Sequence, residues 1–278
     1  MLENSPKLWA NYYHDKRPDT HKYDYGHGVA VSGMEMTGAT ILASKAALRC
    51  GLGLLSISAP RELHSIYKTS VYEALVKDAA ELEDILDDDR VTTCLIGQGA
   101  APDEKTKKTV LKCLEFMRKK GGRCILDAGA LSSFEDEPEE LFDALYPHCI
   151  LTPHEREFAK LFGEIDRREQ AIEQAIGKAG CTIVLKGSET LIASPGEETI
   201  LNDVSSAWLA TGGTGDVLSG ILLGLSGFLG EKISTHLLAA SAVWFHGKSG
   251  IEAGVALCAS DLPDYLPALI EEVIKKEF

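Results

Sequence analysis

The sequence predicts an α/β protein built on a mainly parallel sheet with helices packed on both faces. Three observations carry this. Short β-type runs alternate with helix-type segments along the whole chain. Several of those runs are apolar throughout, as expected for parallel strands buried on both faces. Each of four runs is followed directly by a polar or glycine-rich junction: Gly97-Gln98-Gly99, Asp127, Thr152-Pro153-His154 and Lys186-Gly187. In open parallel sheets ligands sit beyond the carboxyl ends of the strands, so these junctions are expected to face one crevice.

Taken in order, Gly28–Ser32 reads as a strand and Thr37–Cys50 as a helix of small residues. Leu54–Ala59 and Val91–Ile96 are β-branched or apolar runs and read as strands. Glu104–Lys119 has an amphipathic, lysine-rich helical pattern. Strands follow at Arg123–Leu126 and Cys149–Leu151, then helices at His154–Phe162 and Arg168–Ala179. Thr182–Leu185 is a strand, and Thr190–Ala193 with Glu198–Leu201 form a hairpin around Ser194-Pro195-Gly196. Helices at Thr214–Leu229, Ser234–Gly250 and Ser260–Lys276 complete the chain. The acidic stretches Asp87-Asp88-Asp89 and Glu135–Glu140 read as solvated loops or helix ends. With 278 residues and no internal repeat or long linker, a single domain over residues 1–278 is expected.

A net charge of −14 argues against nucleic acid and anionic membranes as partners, but not against a small anion held by a local site. Residues 1–25 contain no apolar signal segment and no apolar run is long enough for a membrane span, so the cytoplasm is the expected location. The seven cysteines include no C-x-x-C pair and several lie in apolar stretches, which predicts buried reduced thiols.

The segment Thr211-Gly212-Gly213-Thr214-Gly215-Asp216 is the most informative in the chain. Glycines uncover backbone N–H groups, and a helix start adds unpaired donors and partial positive charge, together making a seat for phosphate. A carboxylate at the rim of such a seat suits a base that takes the proton of an attacking hydroxyl; the alternative is a helix cap. No Walker A ending is present. Lys186 either reaches a phosphate or snorkels from a strand end. His154 and Glu157 share a helical face; Glu157 either holds Mg²⁺ through water or favours the helix dipole. Asp127 is a second active-site carboxylate or an Asx-turn residue. Gly97-Gln98-Gly99 and Thr37-Gly38-Ala39 permit close approach to a ligand or only a tight turn, and His246 reads as a hydrogen-bonded core histidine.

From His21 to Leu269 the combination of motifs resembles the ADP- or ATP-dependent NAD(P)H-hydrate dehydratases of the ribokinase-like superfamily. The matching stretches are His21–Gly26, Thr37-Gly38-Ala39, Ala46–Gly53, Ile96–Gly99, Leu126-Asp127-Ala128, Leu151–His154 with Glu157, Leu185-Lys186-Gly187 with Thr190, Leu209–Asp216, and Ala259–Leu262. The resemblance implies a ribokinase-like three-layer sandwich that uses ADP or ATP with Mg²⁺ to dehydrate hydrated NADH or NADPH. It implies Asp216 as the catalytic base, touching the substrate. The nucleotide would lie on Lys186, Gly187, Ser188, Glu189, Thr190 and on Gly212, Gly213, Thr214 and Gly215. The hydrated nicotinamide would lie against Ala39, Gly99 and His154, with Glu157 serving the metal indirectly; a homo-oligomer is expected. Three positions depart from the family pattern: Gly129 replaces an Asp, Glu155-Arg156 replaces smaller residues, and Tyr23 replaces a Gly. The rival readings are a small-molecule kinase of the same superfamily, acting on a hydroxyethylthiazole- or pyridoxal-type alcohol, and a nucleotide-binding regulator without activity. An intact Asp216 speaks against the regulator.

Overall fold

The computed structural model describes residues 1–278. The elements in chain order are β1 (Leu2–Glu3), β2 (His27–Val31), α1 (Thr37–Arg49), β3 (Leu54–Ala59), α2 (His64–Ser70), β4 (Leu75–Asp78) and α3 (Leu82–Asp87). Then come β5 (Val91–Ile96), α4 (Glu104–Lys119), β6 (Arg123–Leu126), α5 (Gly129–Ser132), α6 (Pro138–Ala144), β7 (Cys149–Leu151), α7 (Glu155–Phe162) and α8 (Arg168–Ala179). The chain closes with β8 (Thr182–Leu185), β9 (Thr190–Ala193), β10 (Ile200–Asn202), α9 (Thr214–Leu229), α10 (Thr235–Ala253) and α11 (Leu262–Lys275).

All ten strands join one sheet in the order β1-β10-β9-β8-β7-β6-β5-β2-β3-β4. From β8 to β4 every pair is parallel; only β9 runs against its two neighbours. Register then fixes the site. Val31 pairs with Ile96, Ile96 with Leu126, and Leu126 with Leu151, so the residues just past these four strands fall in one row. A further bridge joins His154 to Lys186 beyond β7 and β8.

Alternate residues of each central strand enter opposite cores. Leu95, Ile125 and Ile150 pack with α1, α9, α10 and α11, while Cys94, Ile96, Cys124, Leu126, Cys149 and Leu151 pack with α4, α7 and α8. Burial on both faces explains why these strands read as unbroken apolar runs. Helix α9 is enclosed on nearly every side, and small residues let it lie close to α1. A Cβ added at Gly220 would fall 2.2 Å from the carbonyl oxygen of Ala43, and one at Gly224 2.4 Å from that of Ala47. At the far end of α9, the buried Arg123 donates to the carbonyls of Gly230 and Ile233, both at 2.6 Å. A cation there complements the negative end of the helix dipole.

The sequence misses the edge strands β1 and β4 and the short helices α2, α3, α5 and α6, and places the second hairpin strand two residues early. Six cysteines are buried and free as expected; Cys258 is exposed, because it precedes α11 at the surface. No helix is long and apolar enough to cross a membrane.

Candidate active site

The start of α9 forms the floor of the site. Gly213 is its N-cap, with φ +92, a left-handed conformation that a side chain resists. Thr214 ties the turn down: its hydroxyl donates to the carbonyls of Leu209 (2.8 Å) and Thr211 (3.1 Å). His246 on α10 holds the same turn from below, its Nε2 lying 2.9 Å from the carbonyl of Thr214. Burial lowers the imidazole to about 4, so at neutral pH it is uncharged and Nε2–H is the donor. The hydrogen-bonded histidine expected from sequence is present, and it braces the site.

Asp216 sits in the first turn of α9, half-buried. Burial, and then the like charge of Asp127, push its carboxyl up to about 6, with Lys186 opposing them in part. Lys186 reaches across from the end of β8. A Cβ at Gly215 would lie 3.6 Å from its Nζ, which places the ammonium over the first turn of α9. The Nζ donates to Asp127 Oδ1 at 2.9 Å and lies 4.0 Å from Glu157 Oε2. Burial alone would lower the ammonium, but the charges of Asp127 and Glu157 outweigh it and the group is raised. Asp127 is buried, and burial alone would raise it. The charge of Lys186 and the hydrogen bonds from Lys186, Ser219 and Thr152 reverse that and hold it below the usual range. Asp127 thus lies beside Lys186 in the candidate site, and its side chain makes no Asx turn.

His154 caps α7. Its Nδ1 accepts from the Glu157 N–H (3.1 Å), and Glu157 Oε2 accepts from the His154 N–H (2.9 Å), a reciprocal capping box. Glu157 therefore has a capping role, and it also faces Lys186. Its second partner is what the helix-dipole reading alone did not foresee.

A cleft of about 960 Å³ opens above this floor, lined by His154, Lys186, Gly187, Ser188 and Thr190 on one side. Ala210–Gly212, Thr214 and Gly215 line the other. Among the expected nucleotide residues, Gly213 and Glu189 lie outside the lining, as do Asp216, Ala39 and Gly99; the carbonyl of Glu189 accepts from Arg168 Nη1 at 2.6 Å. Ala39 and Gly99 pack together beside loop 32–36, where a Cβ on Gly99 would be 3.2 Å from that of Ala39. Gly99 has φ +67, and its carbonyl accepts from the N–H groups of Glu35 and Met36 at 3.1 and 3.2 Å.

Two residues that matter here escape the sequence reading. Arg168, at the start of α8, also donates from Nη2 to the carbonyls of Leu185 (3.2 Å) and Lys186 (3.4 Å), so it fastens the 186–189 loop. Ser219, one turn beyond Asp216, donates to Asp127 Oδ2 at 2.7 Å. The departures also find their places. Any side chain at Gly129 would meet the Ala100 carbonyl, 2.2 Å from an added Cβ. Glu155 pairs with Arg168 at 3.3 Å, and the exposed Tyr23 accepts from Arg90 at 3.1 Å.

This arrangement provides donors for a phosphate, one ammonium above them and a carboxylate of raised basicity at the rim. Comparison with known proteins agrees with that chemistry. The NAD(P)H-hydrate dehydratase model matches residues 29–273. The chain belongs to the NAD(P)H-hydrate dehydratase family. The ADP-dependent (S)-NAD(P)H-hydrate dehydratase of Cenarchaeum symbiosum is 32% identical over 92% of this chain and 92% of its own. The Bacillus subtilis ADP/ATP-dependent NAD(P)H-hydrate dehydratase, co-crystallised with ATP and Mg²⁺, is 26% identical, with TM-score 0.79 and 98% of each chain covered. A ribokinase-like superfamily protein of Enterococcus faecalis shares the fold at TM-score 0.85 and 24% identity, covering 98% of this chain and 96% of its own. The chain spans about half the length of the bifunctional NAD(P)H-hydrate repair enzymes it matches.

Proposed function

We propose that this chain dehydrates hydrated NADH or NADPH, using ADP or ATP to turn the ring hydroxyl into a leaving group. The observation that carries the reading is the half-buried Asp216, raised to about 6, beside a glycine turn that Lys186 overhangs. A base is most useful when its acidity lies near the working pH. Asp216 takes the proton of the ring hydroxyl, and the oxygen attacks the terminal phosphorus of the nucleotide. The bond to the bridging oxygen breaks, and AMP or ADP is the leaving group. The N–H groups of Gly213–Gly215 and the ammonium of Lys186 meet the charge on the transferring group. Phosphate then departs with the electrons of the C–O bond, and loss of a proton from the adjacent ring carbon restores the double bond. Ala39, Gly99 and His154 form the nicotinamide side in this reading, and residues 186–190 the nucleotide side.

The residues suit Mg²⁺ carried on the nucleotide. Asp127, Glu157 and Asp216 surround a single ammonium, which leaves the site acidic where a polyanion must bind. No group of three or more ligating side chains forms a cage, so the ion would keep waters, and Glu157 would hold it indirectly through water. Bound there, it would neutralise phosphate charge. Hydrated cofactor incubated with nucleotide and Mg²⁺ tests the reading: the reduced-nicotinamide absorbance should rise as phosphate is released. A stable phosphorylated product would assign the chain to the small-molecule kinases instead.

A further inference from the structure

We propose that Asp127 is a positioning residue that holds Lys186 over the anion seat and ties it to the helix carrying Asp216. The proposal rests on the dehydratase reading for its assay, but its geometry is independent of substrate. Asp127 is 2% exposed and uses both carboxylate oxygens. Oδ1 accepts from Lys186 at 2.9 Å, and Oδ2 accepts from Ser219 at 2.7 Å. Ser219 lies three residues after Asp216 on α9, so one buried carboxylate joins the end of β8 to the catalytic turn. The backbone fixes Asp127 too, since its N–H donates to Ile96 and its carbonyl accepts from Ala130 at 3.1 and 3.0 Å. A lysine left free would lose rotamer entropy when it met a phosphate; this one has already been ordered.

The other charges facing the group are Glu157 and His154 from α7, Arg168 from α8 and His246 from α10. His246 is neutral above about 4, and Arg168 points its guanidinium at carbonyls of the 185–189 segment. The charges that act on Asp216 itself are those of Asp127 and Lys186, in opposite directions. Removing the charge of Asp127 while keeping its shape therefore makes Asp216 more acidic.

The test uses the pH dependence of kcat/KM in wild type, Asp127→Asn, Asp127→Glu and Ser219→Ala. Absence of dehydration by the wild type would sink the functional reading and not this one; nucleotide titration across pH then carries the comparison. In an active enzyme, Asp127→Asn should lower kcat/KM about a hundredfold, as misplacement of a reacting group does. Its acidic limb should move below the wild-type value of about 6. Asp127→Glu should restore the limb but not the rate, since it returns charge without position. Ser219→Ala keeps the charge and loses one tie, so it should lower kcat several-fold with the nucleotide KM unchanged. A folded Asp127→Asn enzyme with an unmoved limb would overturn the proposal. If that variant does not fold, wild-type kcat in Ser219→Ala would overturn it instead.

Discussion

Asp216 is held at a cost that the rest of the fold must cover. Its folded-state value, about 6, lies above the value near 3.8 of a free carboxyl. The folded protein therefore binds this proton more tightly than the unfolded chain does. Stability from this group is full below about pH 4 and lost as the pH rises through about 6. Asp216→Asn should consequently be more stable than wild type at pH 7 to 8, by on the order of 1–3 kcal/mol, with the gain fading towards pH 4. The same variant should lose roughly 10²–10⁴-fold in turnover while still binding nucleotide. Thermal melts across pH, paired with turnover assays, check both; a variant that is active or no more stable contradicts the assignment. Lys186 behaves differently. Its loss should weaken nucleotide binding by about 1.5–3 kcal/mol, the range for a charge-assisted hydrogen bond. It also strands the buried Asp127, so Lys186→Ala should destabilise by about 3 kcal/mol, the low end for a broken buried pair because Lys186 is partly exposed. The contact with Asp127 therefore makes Lys186→Ala act on binding and folding together. Adding Asp127→Asn to Lys186→Ala should recover most of the stability, and denaturant titration of the double mutant cycle measures it.

At the scale of elements, the glycine face of α9 places the turn that carries Asp216. Gly220→Ala sets a methyl against the Ala43 carbonyl, so α1 and α9 must part. Overpacking of this kind typically costs ~1–3 kcal/mol, and the melting temperature and kcat should fall together. Arg168→Ala loosens the 186–189 loop and leaves α9 alone. Calorimetry should find nucleotide affinity reduced about tenfold, as for loss of a hydrogen bond near 1 kcal/mol, with the pH limb of Asp216 unmoved. Elements were legible in the sequence where burial is two-sided. The runs at β5, β6, β7, β8 and α9 are apolar and are followed by Gly97, Asp127, Thr152-Pro153, Lys186 and Gly230, and their predicted limits match the structure. β4 has no such signal, because Leu75 and Lys77 face solvent at the sheet edge. The strand-end rule located Asp127, His154 and Lys186, since register alone aligns them. It could not find Ser219, whose partner is 92 residues away, or Arg168, whose role depends on backbone carbonyls in another segment.

Over the whole molecule, the proposed reaction requires a chain of net charge −14 to bind two polyanions. Local positive potential is then decisive, and dehydration should stop in excess chelator, with Mg²⁺ restoring it. Both sheet edges leave apolar side chains exposed, Leu2 on β1 and Leu75 on β4. A homo-oligomer that covers an edge is the expected state, and sedimentation at micromolar concentration should show it. The central claim is that a nucleotide-dependent base at Asp216 restores hydrated nicotinamide cofactors. Its most direct test is the recovery of reduced-nicotinamide absorbance from hydrated NADH and NADPH, with ADP, ATP or no nucleotide, in wild type and Asp216→Asn. Recovery that needs nucleotide, releases one phosphate per cofactor and vanishes in the variant is the predicted result. Equal recovery by the variant, or none by the wild type with either nucleotide, would contradict it.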